Sequence, residues 1–320
     1  MNYIQQAFKV QHEWWRYLLG ALMVFVGIGI FSVPHVAAIF LKQLKGEADM
    51  SRMEDLNYLM TLFDPNLNLV FLLLPFVGGF VFLLLSVRVI HKQSLRSLTT
   101  SRDKIDWKRV FTIFLIWGTL SSSMVVIDYL ISPENYVNNF DAGKFAILAV
   151  IALLLIPIQT SCEEYIFRGY LMQGIGVLAK NKWLPLLITS VSFGLLHISN
   201  PEVDKLGSII LIYYIGTGFF LGIMTLMDEG LELAIGFHAA NNLFTALLVT
   251  ADWTAFQTYS ILKDISDPTE ATISDIFVPV FVIFPIILLV LSKIYKWSDW
   301  RNKLLGPVEE PEAKDYKILE

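Results

Sequence analysis

An all-α fold that crosses a membrane several times is what this chain predicts, on three observations. Of its 320 residues, 55% are hydrophobic and only 17% are charged, giving a mean hydropathy of +0.58. A soluble domain of that composition would expose an aggregation-prone surface. The charged residues collect between apolar runs, and these runs approach the roughly 20 residues a helix needs to cross a hydrocarbon core about 30 Å thick. Inside the runs a few ionisable side chains recur at helical spacing, which is costly in lipid unless they face a protein cavity. The expectation is a polytopic membrane protein of about eight transmembrane helices with a polar site buried in the bundle.

Eight runs qualify, in chain order. The first, about 17–41, is too long for a signal-peptide core and lacks a small-x-small cleavage pattern. The second, 66–90, contains Phe71-Leu72-Leu73-Leu74 and Phe82-Leu83-Leu84-Leu85. Runs at 110–132 and 144–165 follow, and apolar character resumes after Arg168 to about Leu178. That fourth segment is either one overlong tilted helix or a span joined to an interfacial helix, with Gly169 and Gly174 as break points. The remaining runs lie near 183–199, 207–228, 231–250 and 275–296. The division expected is residues 1–143 with three N-terminal spans, a core at 144–250, an outer loop and last helix at 251–305, and a tail at 306–320. Pro307, Pro311 and mixed charge mark that tail as disordered.

Charge distribution sets the expected orientation. Lys92, Arg96, Arg102, Lys104, Lys108 and Arg109 lie between the second and third runs, whereas Asp252, Asp264, Asp267, Glu270 and Asp275 face a single Lys263 in the 251–275 loop. Positive-inside bias places the first loop in the cytoplasm and the second outside. Lys9, Arg16, Lys293, Lys296, Arg301 and Lys303 then put both termini inside. The expected location is a cell membrane, bacterial in type, with the lipid bilayer itself as a partner. No basic stripe interleaved with aromatics points to nucleic acid. Cys162 is the sole cysteine, so no intrachain disulfide forms, and no activating motif surrounds it.

Three polar constellations interrupt the apolar core: Glu163-Glu164-Tyr165-Ile166-Phe167-Arg168, Phe193-Gly194-Leu195-Leu196-His197 and His238-Ala239-Ala240-Asn241-Asn242. Residues four apart share a helix face, so Glu164 with Arg168, Phe193 with His197, and His238 with Asn242 each project toward one region. Taken alone, each has a plain explanation. Glu164 and Arg168 form a self-neutralising ion pair; a lone buried histidine packs, as His12, His35 and His91 are expected to; Asn241 and Asn242 glue helices together. Taken together they make a hydrolytic site. Glu163 has Phe167 four positions on and so no charge partner there, and apolar surroundings disfavour its charged form, which suits a general base for water. His197 positions the water, and His238 with Asn242 donates to an oxyanion. Two histidines and a carboxylate fit a catalytic zinc equally, although His-Glu-x-x-His is absent.

In this order and in apolar helices, the three motifs resemble those of the CAAX-protease and bacteriocin-processing family of membrane proteins, also called the Abi family. Its pattern is Glu-Glu-x-x-x-Arg, Phe-x-x-x-His, then His-x-x-x-Asn or Asp. Glu163, Glu164 and Arg168 fill the first, Phe193 and His197 the second, His238 and Asn242 the third. The resemblance covers about residues 144–250. It implies an eight-span intramembrane endopeptidase acting on a membrane-associated protein or peptide, with Glu163, Glu164, His197, His238 and Asn242 as catalytic residues and Arg168 and Phe193 in support. In a zinc-dependent form Glu163, His197 and His238 would be ligands. The metal-free form, with no cofactor, is favoured because it gives each group one task. A proton-coupled transporter and a non-catalytic scaffold or regulator are the competing classes; the transporter would call for broken helices in both halves. Depth poses one difficulty: His238 lies about 10 Å into its run and His197 about 20 Å into its own, at 1.5 Å per residue, so the spans must tilt or begin outside the hydrocarbon.

Overall fold

In a computed structural model, described over residues 1–268 and 272–312, the chain is a helical bundle. Its helices are α1 (Trp14–Leu44), α2 (Pro65–Val89), α3 (Trp107–Ile131) and α4 (Ala142–Glu164). A π-helical turn, Tyr165–Leu171, continues α4 into α5 (Met172–Ala179). There follow α6 (Trp183–Leu195), α7 (Leu211–Asp228), α8 (Glu232–Leu248) and α9 (Ile273–Tyr295). Aspartates start three of the long helices: Asp64, Asp106 and Asp141 accept from the backbone N–H groups of Asn66, Lys108 and Lys144, satisfying donors that have no partner within the helix.

Among the described residues, six helices are long and apolar enough to cross a membrane: Trp14–Leu44, Pro65–Val89, Trp107–Ile131, Ala142–Ala179, Ser208–Asp228 and Ile273–Tyr295. The protein is therefore a polytopic all-α membrane protein, and six of the eight expected runs reach spanning length among the described residues. The runs at 183–199 and 231–250 form helices of 13 and 17 residues, about 20 and 25 Å long. The first is cut short by the turn His197–Asn200 and by Pro201, which opens a separate helix Pro201–Leu206. The fourth segment does not break at its glycines; it widens into the π turn. Gly174 is instead a contact point, since a Cβ there would lie 2.5 Å from the Tyr17 ring.

Apolar side chains cover the outside of the bundle, with Leu22, Phe25, Val36 and Phe40 of α1 and Phe111, Leu115 and Ile127 of α3 exposed, as a lipid-facing surface requires. α4 is central, packing on both α2 and α8, while α1 packs on α2, α3 on α8, and α6 on α7. A small sheet closes the acidic end: β1 (Tyr136–Asn138) runs antiparallel to β3 (Leu262–Asp264), which runs parallel to β2 (Val249–Thr250). Val137 faces Lys263, and Val249 faces Leu262. Glu270 of that loop lies outside the described residues.

The opposite, basic end holds the N-terminal residues and the segment that follows Gly306. Ile4 and Phe8 bury against Met172, Leu186, Leu226 and Val308. Val308 donates its N–H to the Lys180 carbonyl, and Gln5 donates to the Glu309 carbonyl. The segment from Gly306 onward, expected to be disordered throughout, is thus docked at its start because Val308 is apolar enough to complete this cluster. Residues 313–320 lie outside the described residues.

Glycine sets the α1–α2 spacing. A Cβ on Gly27 would lie 2.5 Å from the Gly78 carbonyl oxygen, whereas Gly29 has nothing within 4 Å. Gly27→Ala is expected to destabilise the protein in detergent by about 1–3 kcal/mol through overpacking, and Gly29→Ala to leave it unchanged or slightly stabler. Equal melting temperatures for the two variants would show that the helices do not meet at Gly27.

Candidate active site

The three motif segments converge where α4, its π turn, α6 and α8 meet. At the centre is a fully buried ion pair, Arg168 Nη1 to Glu164 Oε1 at 3.0 Å, with both side chains 0% exposed. The guanidinium also donates to the Gly218 carbonyl of α7 at 3.1 Å, and its carbon lies 4.2 Å from the centre of the Phe193 ring. Buried charges persist only when paired and further hydrogen-bonded, and Arg168 has three kinds of partner.

His238 reaches across from α8. Its Nδ1 lies 2.8 Å from Glu164 Oε1 and its Nε2 lies 3.4 Å from Glu163 Oε2. An ionised carboxylate only accepts, so Nδ1 carries the proton and the Nε2 edge is turned to Glu163. One imidazole therefore stands between two consecutive carboxylates. Glu163 differs from the expectation of an unpaired carboxylate: besides His238, it accepts from Gln159 Nε2 at 2.8 Å. Gln159 is one turn before Glu163, and that i,i+4 spacing was available as a sequence signal. Asn242 donates to Gln159 Oε1 at 3.1 Å; a carboxamide has a second N–H that this bond does not use.

His197 stands one turn beyond the others. Its Nδ1 donates to the Phe193 carbonyl at 2.9 Å, so Nε2 is its acceptor, and its ring stacks on Tyr214 of α7 at 4.3 Å. No hydrogen bond among the described residues joins it to Glu163 or His238. Phe193 lies between, with ring centres 5.0 Å from His197 and 5.8 Å from His238. The depth mismatch read from the sequence is met in this way: Phe193 is the α6 residue level with His238. Tyr214, an aromatic in an apolar run, carried no sequence signal. Cys162 is buried at 1% exposure, with Sγ against Gly79 of α2, which is a packing role. His91 is likewise a core histidine, held by the Gln11 carbonyl and the Tyr170 hydroxyl.

The three residues considered from the sequence as zinc ligands are not gathered at one point. Among the described residues no three His, Cys, Asp or Glu side chains are grouped to hold a metal. Of the ligand set considered from the sequence, Glu163 and His238 adjoin at 3.4 Å, while the Phe193 ring stands between His238 and His197.

The buried pair generates a stability prediction. Removing one partner strands the other charge, typically at about 3–5 kcal/mol. Arg168→Ala should lower the melting temperature in detergent, and Glu164→Gln combined with Arg168→Gln should recover part of that loss. Strict additivity of the two glutamine substitutions would mean that the side chains are uncoupled.

Comparison with known proteins covers the stretch that carries these residues. A family model described as type II CAAX prenyl endopeptidase Rce1-like matches residues 142–244, the stretch from the start of α4 through most of α8. The chain is 31% identical over 251 residues to the uncharacterized protein YyaK of Bacillus subtilis (strain 168), covering 78% of this chain and 83% of that one. It is also 31% identical over 109 residues to an uncharacterized protein of Mycoplasma capricolum subsp. capricolum, covering 34% of this chain and 30% of that one. No solved structure matches it. With the three motifs gathered on one buried ion pair, the chain belongs to the Rce1-like CAAX prenyl endopeptidase family.

Proposed function

We propose that this protein is an intramembrane endopeptidase that hydrolyses a peptide bond of a membrane-associated protein or peptide without a metal. The observation that carries the reading is the placement of His238 between Glu163 and Glu164, with only Glu164 neutralised by an arginine. Glu163 takes a proton from water as the water oxygen attacks the scissile carbonyl carbon. His197, whose Nε2 is an acceptor, orients that water. The second N–H of Asn242 supplies a hydrogen bond to the oxyanion of the tetrahedral intermediate, and His238 adds one through Nε2 when that nitrogen is protonated as well. Collapse breaks the C–N bond, and Glu163 returns its proton to the leaving amine. Glu164 and Arg168 hold His238 and do not exchange protons with substrate.

The family description supports a prenylated CAAX-type C-terminus as the first substrate to try. The basic end faces the cytoplasm in this reading, because positive loops are retained there. Substrate then arrives from the cytoplasmic side, anchored in the bilayer.

Glu163→Gln preserves size and hydrogen bonding but removes the base, so proteolysis of a quenched fluorescent farnesylated CAAX peptide in proteoliposomes should be lost while membrane insertion stays normal. Near wild-type cleavage by the purified variant would sink the assignment. Asn242→Ala should lower the rate by about 10²–10³, the usual loss for one oxyanion donor. Elemental analysis of active protein should find no stoichiometric zinc; zinc that leaves and returns together with activity would defeat the metal-free mechanism.

A further inference from the structure

Glu163 sits at the end of an unbroken line of hydrogen bonds that begins on α3, outside the motif-bearing segment. Trp117 Nε1 donates to Asn241 Oδ1 at 3.1 Å. Asn241 Nδ2 donates to Asn242 Oδ1 at 3.1 Å, Asn242 Nδ2 to Gln159 Oε1 at 3.1 Å, and Gln159 Nε2 to Glu163 Oε2 at 2.8 Å. Both ends of this line have a fixed sense. An indole N–H can only donate and an ionised carboxylate can only accept. Each carboxamide between them must therefore turn its oxygen toward Trp117 and its NH₂ toward Glu163. Without the indole, the carboxylate alone would fix that sense, and Asn241 Oδ1 would lose the donor that anchors the far end of the line.

The packing is built to deliver that indole. A Cβ on Gly118 would collide with the Phe244 ring, and one on Gly236 with the Val110 carbonyl, so α3 and α8 approach closely on either side of the Trp117–Asn241 bond. The indole, 5% exposed, is wedged by Phe237 at 4.5 Å and Phe284 at 6.3 Å. Gln159 is also 5% exposed. In apolar surroundings such networks are held only when every member is satisfied.

We propose that Trp117, Asn241 and Gln159 are positioning residues that, through Asn242, direct a hydrogen-bond donor onto Glu163 and so hold its carboxylate in the orientation that receives a proton from water. The proposal rests on Glu163 being the base. Each group acts on Glu163 through its neighbour, and none touches substrate.

The experiment uses the full-length protein in proteoliposomes and the farnesylated CAAX peptide, with rates expressed per folded molecule from a thermal melt of each variant. Trp117→Phe and Gln159→Met remove the first and last donors while keeping apolar bulk. Each should lower kcat on the order of tenfold, the scale of one neutral hydrogen bond, with KM little changed. Because the indole acts only by orienting Gln159, the double variant should be no slower than Gln159→Met alone. A merely structural role would lower the folded fraction without changing kcat per folded molecule. Undiminished kcat in Trp117→Phe, or losses that multiply in the double variant, would overturn the relay. Cleavage retained by Glu163→Gln, or none by the wild type, would overturn instead the reading on which it rests.

Discussion

A fully buried charge pair that has to be solvated by protein is the constraint around which the rest of this structure is arranged. Glu164 and Arg168 are both 0% exposed, and removing two such groups from water costs several kcal/mol per ion. Every neighbouring element contributes to offsetting that cost. α7 supplies the Gly218 carbonyl, α6 the face of Phe193, and α8 the His238 Nδ1 proton. The π turn that contains Arg168 leaves backbone groups out of the α-helical pattern, as π turns at functional sites do. The Arg168 carbonyl is met from the chain's own beginning, where the Tyr3 hydroxyl lies 3.1 Å from it and 2.7 Å from the Leu98 carbonyl. The N-terminal segment is thereby fastened to the site's helix, and this explains why residues ahead of the first span are buried.

A second charged network fixes the depth of His238. Asp228, at the end of α7, is met by Arg102, Arg109 and the Trp297 indole, and Glu232, at the start of α8, by Arg102 at 3.2 Å. The turn between α7 and α8 is thus clamped to the loop before α3 and to the residues after α9. His238 follows Glu232 by less than two turns of helix, so a clamp at Glu232 sets where the imidazole stands against Glu163 and Glu164. Two ionic clusters, one at the basic end and one inside the bundle, set the position of the same short helix from both directions.

What the sequence made legible follows from helical periodicity. Six apolar runs became helices of spanning length at nearly their expected positions, and the Glu164–Arg168 spacing became an ion pair. The shorter α6 and α8 fall below spanning length because apolar composition does not reveal where a helix stops; α6 ends four residues short of the apolar run, ahead of Pro201. Gln159 was missed although its i,i+4 spacing to Glu163 lay in the sequence, because a neutral carboxamide is ordinary in an apolar helix. Trp117 carried no such signal, and only the approach of α3 to α8 shows that its indole meets Asn241. The partner of Asn242 was hidden in the same way, since i,i+4 spacing gives a shared face and not the residue opposite it. The docking of Val308 depends on a cluster assembled from the N-terminus, α5, α6 and α7, which no local window contains.

Consecutive carboxylates invite the assumption of a shared role, and the helix argues against it. Neighbouring residues on an α-helix point about 100° apart, so Glu163 and Glu164 meet different surroundings although their backbones adjoin. Glu164 turns toward Arg168 and the Nδ1 edge of His238 and is wholly buried. Glu163 turns toward Gln159 and the Nε2 edge and keeps 14% of its side chain exposed. The Glu164 oxygen is taken up by a guanidinium and an imidazole N–H, whereas the bonds of Glu163 run to a neutral amide and the far edge of the imidazole. The arginine four residues on therefore divides the labour between two chemically identical groups, leaving Glu163 as the one free to take a proton from water under the proposed mechanism.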